Sequence, residues 1–149
     1  MPSLSAGTNW TLTGRLVNYP GIDPSCNTPS VPVTYLVVVA SAGDLATTYS
    51  SWNGSSLDTN LKQQQVTFTV TRTVGGVSTV NNYWGLFEKG AAAVGSFNGY
   101  DTDGNQFEAT VLTSDSVCSG KQALRGNFTN PGASYSTLMG YTCRNNNLL

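Results

Sequence analysis

The sequence contains no histidine. That absence removes Ser-His-Asp and Cys-His catalysis and every His-ligated metal site. Charge is scarce too: 10% of the residues are Asp, Glu, Lys or Arg, where a soluble domain usually carries about 25%. The seven basic residues, Arg15, Lys62, Arg72, Lys89, Lys121, Arg125 and Arg144, are scattered along the chain. Without a basic cluster there is no face on which phosphates would exchange their counterions, so nucleic acid is not expected as a partner. Anionic membrane surfaces are disfavoured for the same reason. The longest apolar run, Tyr35 to Ala40, is of strand length. It falls far short of the roughly 18 residues a spanning helix needs, and membrane insertion is not expected.

Cysteine is limited to Cys26, Cys118 and Cys143, with no C-x-x-C spacing. Zinc and thioredoxin-type chemistry therefore have no support. In an oxidising compartment three cysteines read as one disulfide and one free thiol. Cys118 with Cys143 is the expected pair, because both follow predicted strands late in the chain. Ser, Thr, Asn and Gly stand where charges would otherwise be, a surface suited to a secreted or extracellular domain. The expected location is extracellular, with the signal sequence absent from this chain.

What the sequence has in quantity is two-residue alternation. From Gln65 to Thr73, Val66, Phe68 and Val70 fall on one face and Thr67, Thr69, Thr71 and Thr73 on the other, the mark of a strand with one buried face. Trp10, Leu12 and Leu16 alternate in the same way. Further strands are predicted at 33–40, 45–52, 78–88, 93–100, 106–114, 122–129 and 135–143. Gly75-Gly76, Asp103-Gly104 and Asn130-Pro131-Gly132 are among the turn signals between them. The predicted fold is all-β: an antiparallel up-and-down β-barrel of about eight strands, with a β-sandwich as the alternative. Residues 1–149 read as a single domain with a loose N-terminal arm (1–8), a proline-rich loop (18–32) and a disordered C-terminal tail (145–149). Strand 33–40 is apolar on both faces, with Leu36, Val38 and Ala40 behind Val33, Tyr35, Val37 and Val39. The expectation is that a loop or a second subunit covers it, which makes a homo-oligomer through this strand a candidate assembly.

Candidate chemistry is sparse. The eight acids lie mostly at predicted turns, and no pair is placed for general acid–base work. Asp101-Thr102-Asp103-Gly104-Asn105 resembles a calcium loop, but its glycine is fourth rather than sixth. It reads as a turn capped by its own aspartates. No metal and no cofactor are expected. The three Asn-x-Ser/Thr triplets, at Asn9, Asn53 and Asn127, are no more than chance supplies in a chain so rich in these residues. Trp10, Trp52, Tyr83, Trp84, Phe87, Phe97 and Tyr100 either line a barrel mouth or fill its core. Asn81-Asn82-Tyr83-Trp84-Gly85 is the densest mixture of amide and aromatic groups, and Asn81, Tyr83 and Trp84 are candidate ligand contacts. Such mixtures suit sugars, whose C–H faces stack on rings while amides bond hydroxyls.

Leu12-Thr13-Gly14-Arg15-Leu16-Val17-Asn18 resembles the first strand of the avidin and streptavidin family of calycin-type barrels. Val33 to Gly54 is similar to that family's second hairpin, including Gly43, Leu45, Thr48-Tyr49-Ser50-Ser51 and Gly54. Phe68-Thr69-Val70 and Tyr83-Trp84-Gly85-Leu86-Phe87 echo its fifth and sixth strands. The resemblance implies an eight-stranded up-and-down barrel, often tetrameric, with a small ligand in its mouth. It further implies Asn18, Tyr49 and Ser51 as polar ligand contacts and Gly85 as a packing glycine. The chain departs from the family at Arg72, where an aromatic wall is expected, and at Ala109 to Ser114, which lacks a tryptophan. These departures argue against biotin itself. The function expected is non-enzymatic binding of a small molecule in the mouth of a β-barrel. A carbohydrate-binding module or lectin taking a glycan, a structural shell or adhesin module, and a cyclase-type barrel enzyme are the alternatives.

Overall fold

The computed structural model describes residues 4–16, 31–44, 46–47, 51–53, 56–58, 62–89, 94–112, 118–119, 121–129 and 136–145. Every regular element among them is a strand: β1 (Asn9–Leu16), β2 (Val31–Ala42), β3 (Ala46–Thr47), β4 (Ser51–Asn53), β5 (Ser56–Asp58), β6 (Lys62–Val74), β7 (Val77–Lys89), β8 (Val94–Tyr100), β9 (Gln106–Leu112), β10 (Ala123–Thr129) and β11 (Ser136–Cys143). Eight of them run β1-β2-β6-β7-β8-β9-β10-β11 in one antiparallel sheet, each beside the next. The sheet curls until β1 and β11 lie against each other. Past the end of β11 the Asn145 N–H donates to the Asn9 carbonyl at 2.8 Å, tying the two edges together. The fold is a nearly closed up-and-down barrel, and the sandwich alternative is set aside.

The β6–β7 hairpin shows how local sequence sets this wall. Gly75 and Gly76 both have positive φ, 58° and 79°, the backbone that a two-residue turn needs to match the strand twist. With the turn fixed, Val74 faces Val77 and the register runs unbroken to Lys62 opposite Lys89. Val66, Phe68 and Val70 then point inward with Tyr83 and Phe87, and all are buried. The threonine ladder points out, where the Thr69 hydroxyl donates to Asn82 Oδ1 at 2.9 Å.

The interior is a stack of aromatic rings. Phe128 lies face to face between Tyr35 and Phe107, at ring-centroid distances of 4.2 and 4.4 Å. Phe68, Tyr83 and Phe97 meet Phe107 at angles, at 5.4 to 5.8 Å. Rings in these arrangements gain about 0.5–1.5 kcal/mol per pair beyond their burial.

Several expectations are corrected. Residues 4–8 are not a loose arm: Leu4 is buried, and Gly7 and Thr8 extend the ladder by bonding Val39 on both its N–H and its carbonyl. Asn145, assigned to the disordered tail, is the residue that ties β11 to β1. The strand predicted at 45–52 is broken. Among its described residues, Ala46 and Thr47 pair with β6, and Ser51–Asn53 pairs with Ser56–Asp58 in a separate hairpin. On strand 33–40 the same chain covers one face only. Val33, Tyr35, Val37 and Val39 are buried, but Leu36 is 40% exposed and Ala40 is exposed. Its outer row is therefore an open apolar stripe on the wall.

Candidate functional site

Strand alternation decides which of the expected ligand residues can meet. On β7, Asn81 and Tyr83 point into the barrel and Tyr83 is buried, whereas Trp84 points out and is 50% exposed. Adjacent residues of one strand occupy opposite faces, so Asn81, Tyr83 and Trp84 do not form one pocket. Asn18 and Tyr49 lie outside the described residues. Ser51 begins β4 and pairs with Asp58, away from the barrel ladder. The segments said to echo the avidin family's fifth and sixth strands lie on β6 and β7, the third and fourth strands of this barrel. Of the aromatic candidates, Trp10, Tyr83, Phe87 and Phe97 belong to the core, and Tyr100 is exposed with Trp84 on the outer wall. Cys118 and Cys143 are joined in a disulfide.

At the rim where β7 begins and β8 ends, Asp101 organises the turn to β9. Its carboxylate accepts four N–H donors: Asn81 Nδ2 at 2.8 Å, the Asp103 amide at 2.9 Å, the Asn105 amide at 2.8 Å and Asn105 Nδ2 at 2.6 Å. Burial acts to raise its pKa, but the bonds from Asn105, Asn81 and Asp103 outweigh it and hold the carboxyl below its ordinary value. Four donors converging on two oxygens make this carboxylate a backbone cap rather than a cation ligand.

The opposite rim is where β1, β6, β8 and β10 begin. Here the N-terminal segment crosses the barrel and Gln64 receives it. The Leu4 N–H donates to Gln64 Oε1 at 3.0 Å, and Gln64 Nε2 donates to the Leu4 carbonyl and the Gly43 carbonyl, both at 2.8 Å. The amide side chain thus takes the place of a missing strand.

Beside it lies the most anomalous group among the described residues. Lys89 continues the inward row of Tyr83 and Phe87; it is 2% exposed, and its Nζ has no hydrogen-bond partner. Lys62 is its register partner on β6, on the same inward row as Gln64 and Val66. Desolvation, with the neighbouring Lys62 charge adding to it, pushes the Lys89 pKa below the ordinary lysine value. A buried amine without an acceptor is rare, because its desolvation is uncompensated. The predicted strand 78–88 stops one residue short of Lys89, so sequence reasoning missed it. The signal was available: the row Tyr83, Gly85, Phe87 reaches Lys89 in steps of two.

Among the described residues, open grooves lie on the outer wall. One, of about 700 Å³, is lined by Ser41, Gln65, Thr67, Trp84 and Leu86 among others. Trp84 sits directly opposite Tyr100 on β8, which is also 50% exposed. Another groove, of about 310 Å³, crosses β8, β9 and β10 and is lined by polar groups such as Asn98, Glu108, Arg125 and Asn127. Comparison with protein-family models, curated proteins and solved structures finds no match.

Proposed function

We propose that the protein is a non-enzymatic binding protein that holds a small ligand within one end of its β-barrel. The observation that carries this reading is Lys89, a buried amine on the inner wall with no protein acceptor. Folding tolerates such a group where something else satisfies it. The neutral polar surface and the Cys118–Cys143 disulfide support an extracellular setting. The up-and-down barrel keeps an avidin-like relationship within this proposal. The shift of the echoing segments to the third and fourth strands argues for a ligand other than biotin.

The test is a thermal-shift screen of small acids, lipids, pigments and biotin, followed by native mass spectrometry of the hits. A one-to-one complex whose formation perturbs the lower-rim residues, Gln64 and Lys89, is the expected result. Absence of any inward-bound ligand, with hits confined to the outer wall, would overturn it.

A second reading is favoured by a separate feature. Trp84 and Tyr100, paired across β7 and β8 and both half-exposed, form an aromatic platform flanked by Asn82, Asn98 and Gln106. Rings beside neutral amides suit a sugar's apolar face and hydroxyls. A glycan array separates the two readings: a signal that Trp84→Ala abolishes assigns the outer wall to carbohydrate.

A further inference from the structure

Lys62 and Lys89 are cross-strand partners on β6 and β7, both on the inner row, at the rim that Leu4 and Gln64 cross. Two amines side by side within a wall are an unbalanced charge. On β6 the inner row continues with Gln64 and Val66, and on β8 the register partner of Lys89 is Gly95. The described N-terminal residues Leu4 to Thr8 carry no titratable side chain. Glu88 alternates to the outer face, and Asp44 is exposed beyond the end of β2. No described carboxylate therefore lies on the inner face beside the pair.

We infer that Lys62 and Lys89 form an oxyanion-recognition site for the carboxylate of a small acid whose remainder is apolar. This deepens the binding reading above and rests on it. The inner row next to the pair, Val66, Phe87 and Val111, is apolar and closely packed in the empty protein, which matches an acid whose body is hydrocarbon rather than polar. A carboxylate accepts from both ammonium groups, and such charge-assisted bonds are the strong ones in a dry setting. Without the acid, desolvation and the Lys62 charge lower the Lys89 pKa. A bound carboxylate acts against both, so binding draws protons onto Lys89 Nζ at alkaline pH, with no covalent bond made or broken. Removing the orphan amine should stabilise the empty protein, because a group held unsatisfied for a ligand costs stability without it.

The experiment uses octanoate, octanol, acetate and inorganic phosphate with the full chain, Lys89→Met and Lys62→Met, read by calorimetry and thermal shift. Wild type is expected to bind octanoate and to take up protons at alkaline pH. In Lys89→Met, octanoate affinity should fall at least about tenfold and proton uptake should vanish, while the empty protein melts at a higher temperature. Lys62→Met should weaken octanoate without removing proton uptake. Octanoate bound equally by wild type and Lys89→Met would overturn the inference. So would octanol bound as tightly as octanoate by wild type, although that result leaves the barrel-ligand reading standing. Acetate or phosphate binding as well as octanoate would overturn the apolar-acid assignment. Should Lys89→Met fail to fold, the wild-type proton uptake and the Lys62→Met affinity still decide it. Binding of neither octanoate nor octanol would count against the broader reading as well.

Discussion

Gln64 grips Leu4 by both of its main-chain polar groups, accepting from the N–H at 3.0 Å and donating to the carbonyl at 2.8 Å across 60 positions of sequence. It also holds the Gly43 carbonyl, so one amide fastens the N-terminal segment and the end of β2 to the wall. Gln64→Leu removes all three bonds and leaves buried peptide groups unpaired. The expected loss is about 2–3 kcal/mol, measured by urea unfolding. Amide hydrogen exchange at Leu4 should accelerate well beyond that of the core strands.

Asp101 should govern the acid limb of stability. Its native pKa is depressed by its N–H donors against an opposing effect of burial. A depressed carboxyl contributes stability that is fully present above its unfolded value, about 3.9, and is lost as pH falls through the lower native value. Asp101→Asn should be less stable at neutral pH, by about 1 kcal/mol, and its deficit should shrink as pH falls towards 2. Unfolding curves across that range, wild type against variant, give the difference directly. A constant deficit would show that Asp101 does not act through its charge.

The β7–β8 contact depends on a glycine pair. Gly85 and Gly99 are register partners, and a Cβ on Gly85 would come within 2.1 Å of the Asn98 carbonyl oxygen. Backbone cannot yield as a side-chain tip can. Gly85→Ala should therefore destabilise by roughly 1–3 kcal/mol or more, although alanine is only one carbon larger. The same change at Gly104, where no atom lies within 4 Å, strains the backbone through its positive φ of 83° instead. The two variants should differ: chemical-shift changes in Gly85→Ala should spread along β7 and β8, and those in Gly104→Ala should stay at the turn.

The disulfide closes a loop of 25 positions that contains β10. By chain entropy, a loop of this length stabilises by about 3.5 kcal/mol. Cys118→Ser with Cys143→Ser should lower the denaturation midpoint accordingly. The β6–β7 hairpin, which the loop does not contain, should keep its hydrogen-exchange protection relative to the rest.

The strands with clean alternation were legible. Val66, Phe68 and Val70 against their threonines gave β6 its faces, and Gly75-Gly76 gave the hairpin and hence the register. Strand 33–40 was harder, because Leu36 and Val38 are as apolar as Val37 and only closure of the sheet chose which row went inside. Of the predicted 45–52 strand, Ala46–Thr47 pair with the end of β6, because β2 takes the rest of β6 as its second neighbour. Asn81, Tyr83 and Trp84 were grouped by proximity in sequence, and the two-residue period divided them between the inside and the outside.

By itself, the sequence determined the absence of imidazole chemistry, the period-two pattern and the tight glycine turn, and the last two set the all-β class. These are local properties, fixed by alternating side-chain direction and by what glycine's backbone allows. The tertiary structure decided the rest. Closing the sheet brought Asn145 to Asn9 and Leu4 to Gln64, contacts between residues 136 and 60 positions apart. It also turned Lys89 from a residue at the edge of a turn into a buried amine. Burial and pairing belong to the closed barrel, because solvent is excluded only when the two edges of the sheet meet.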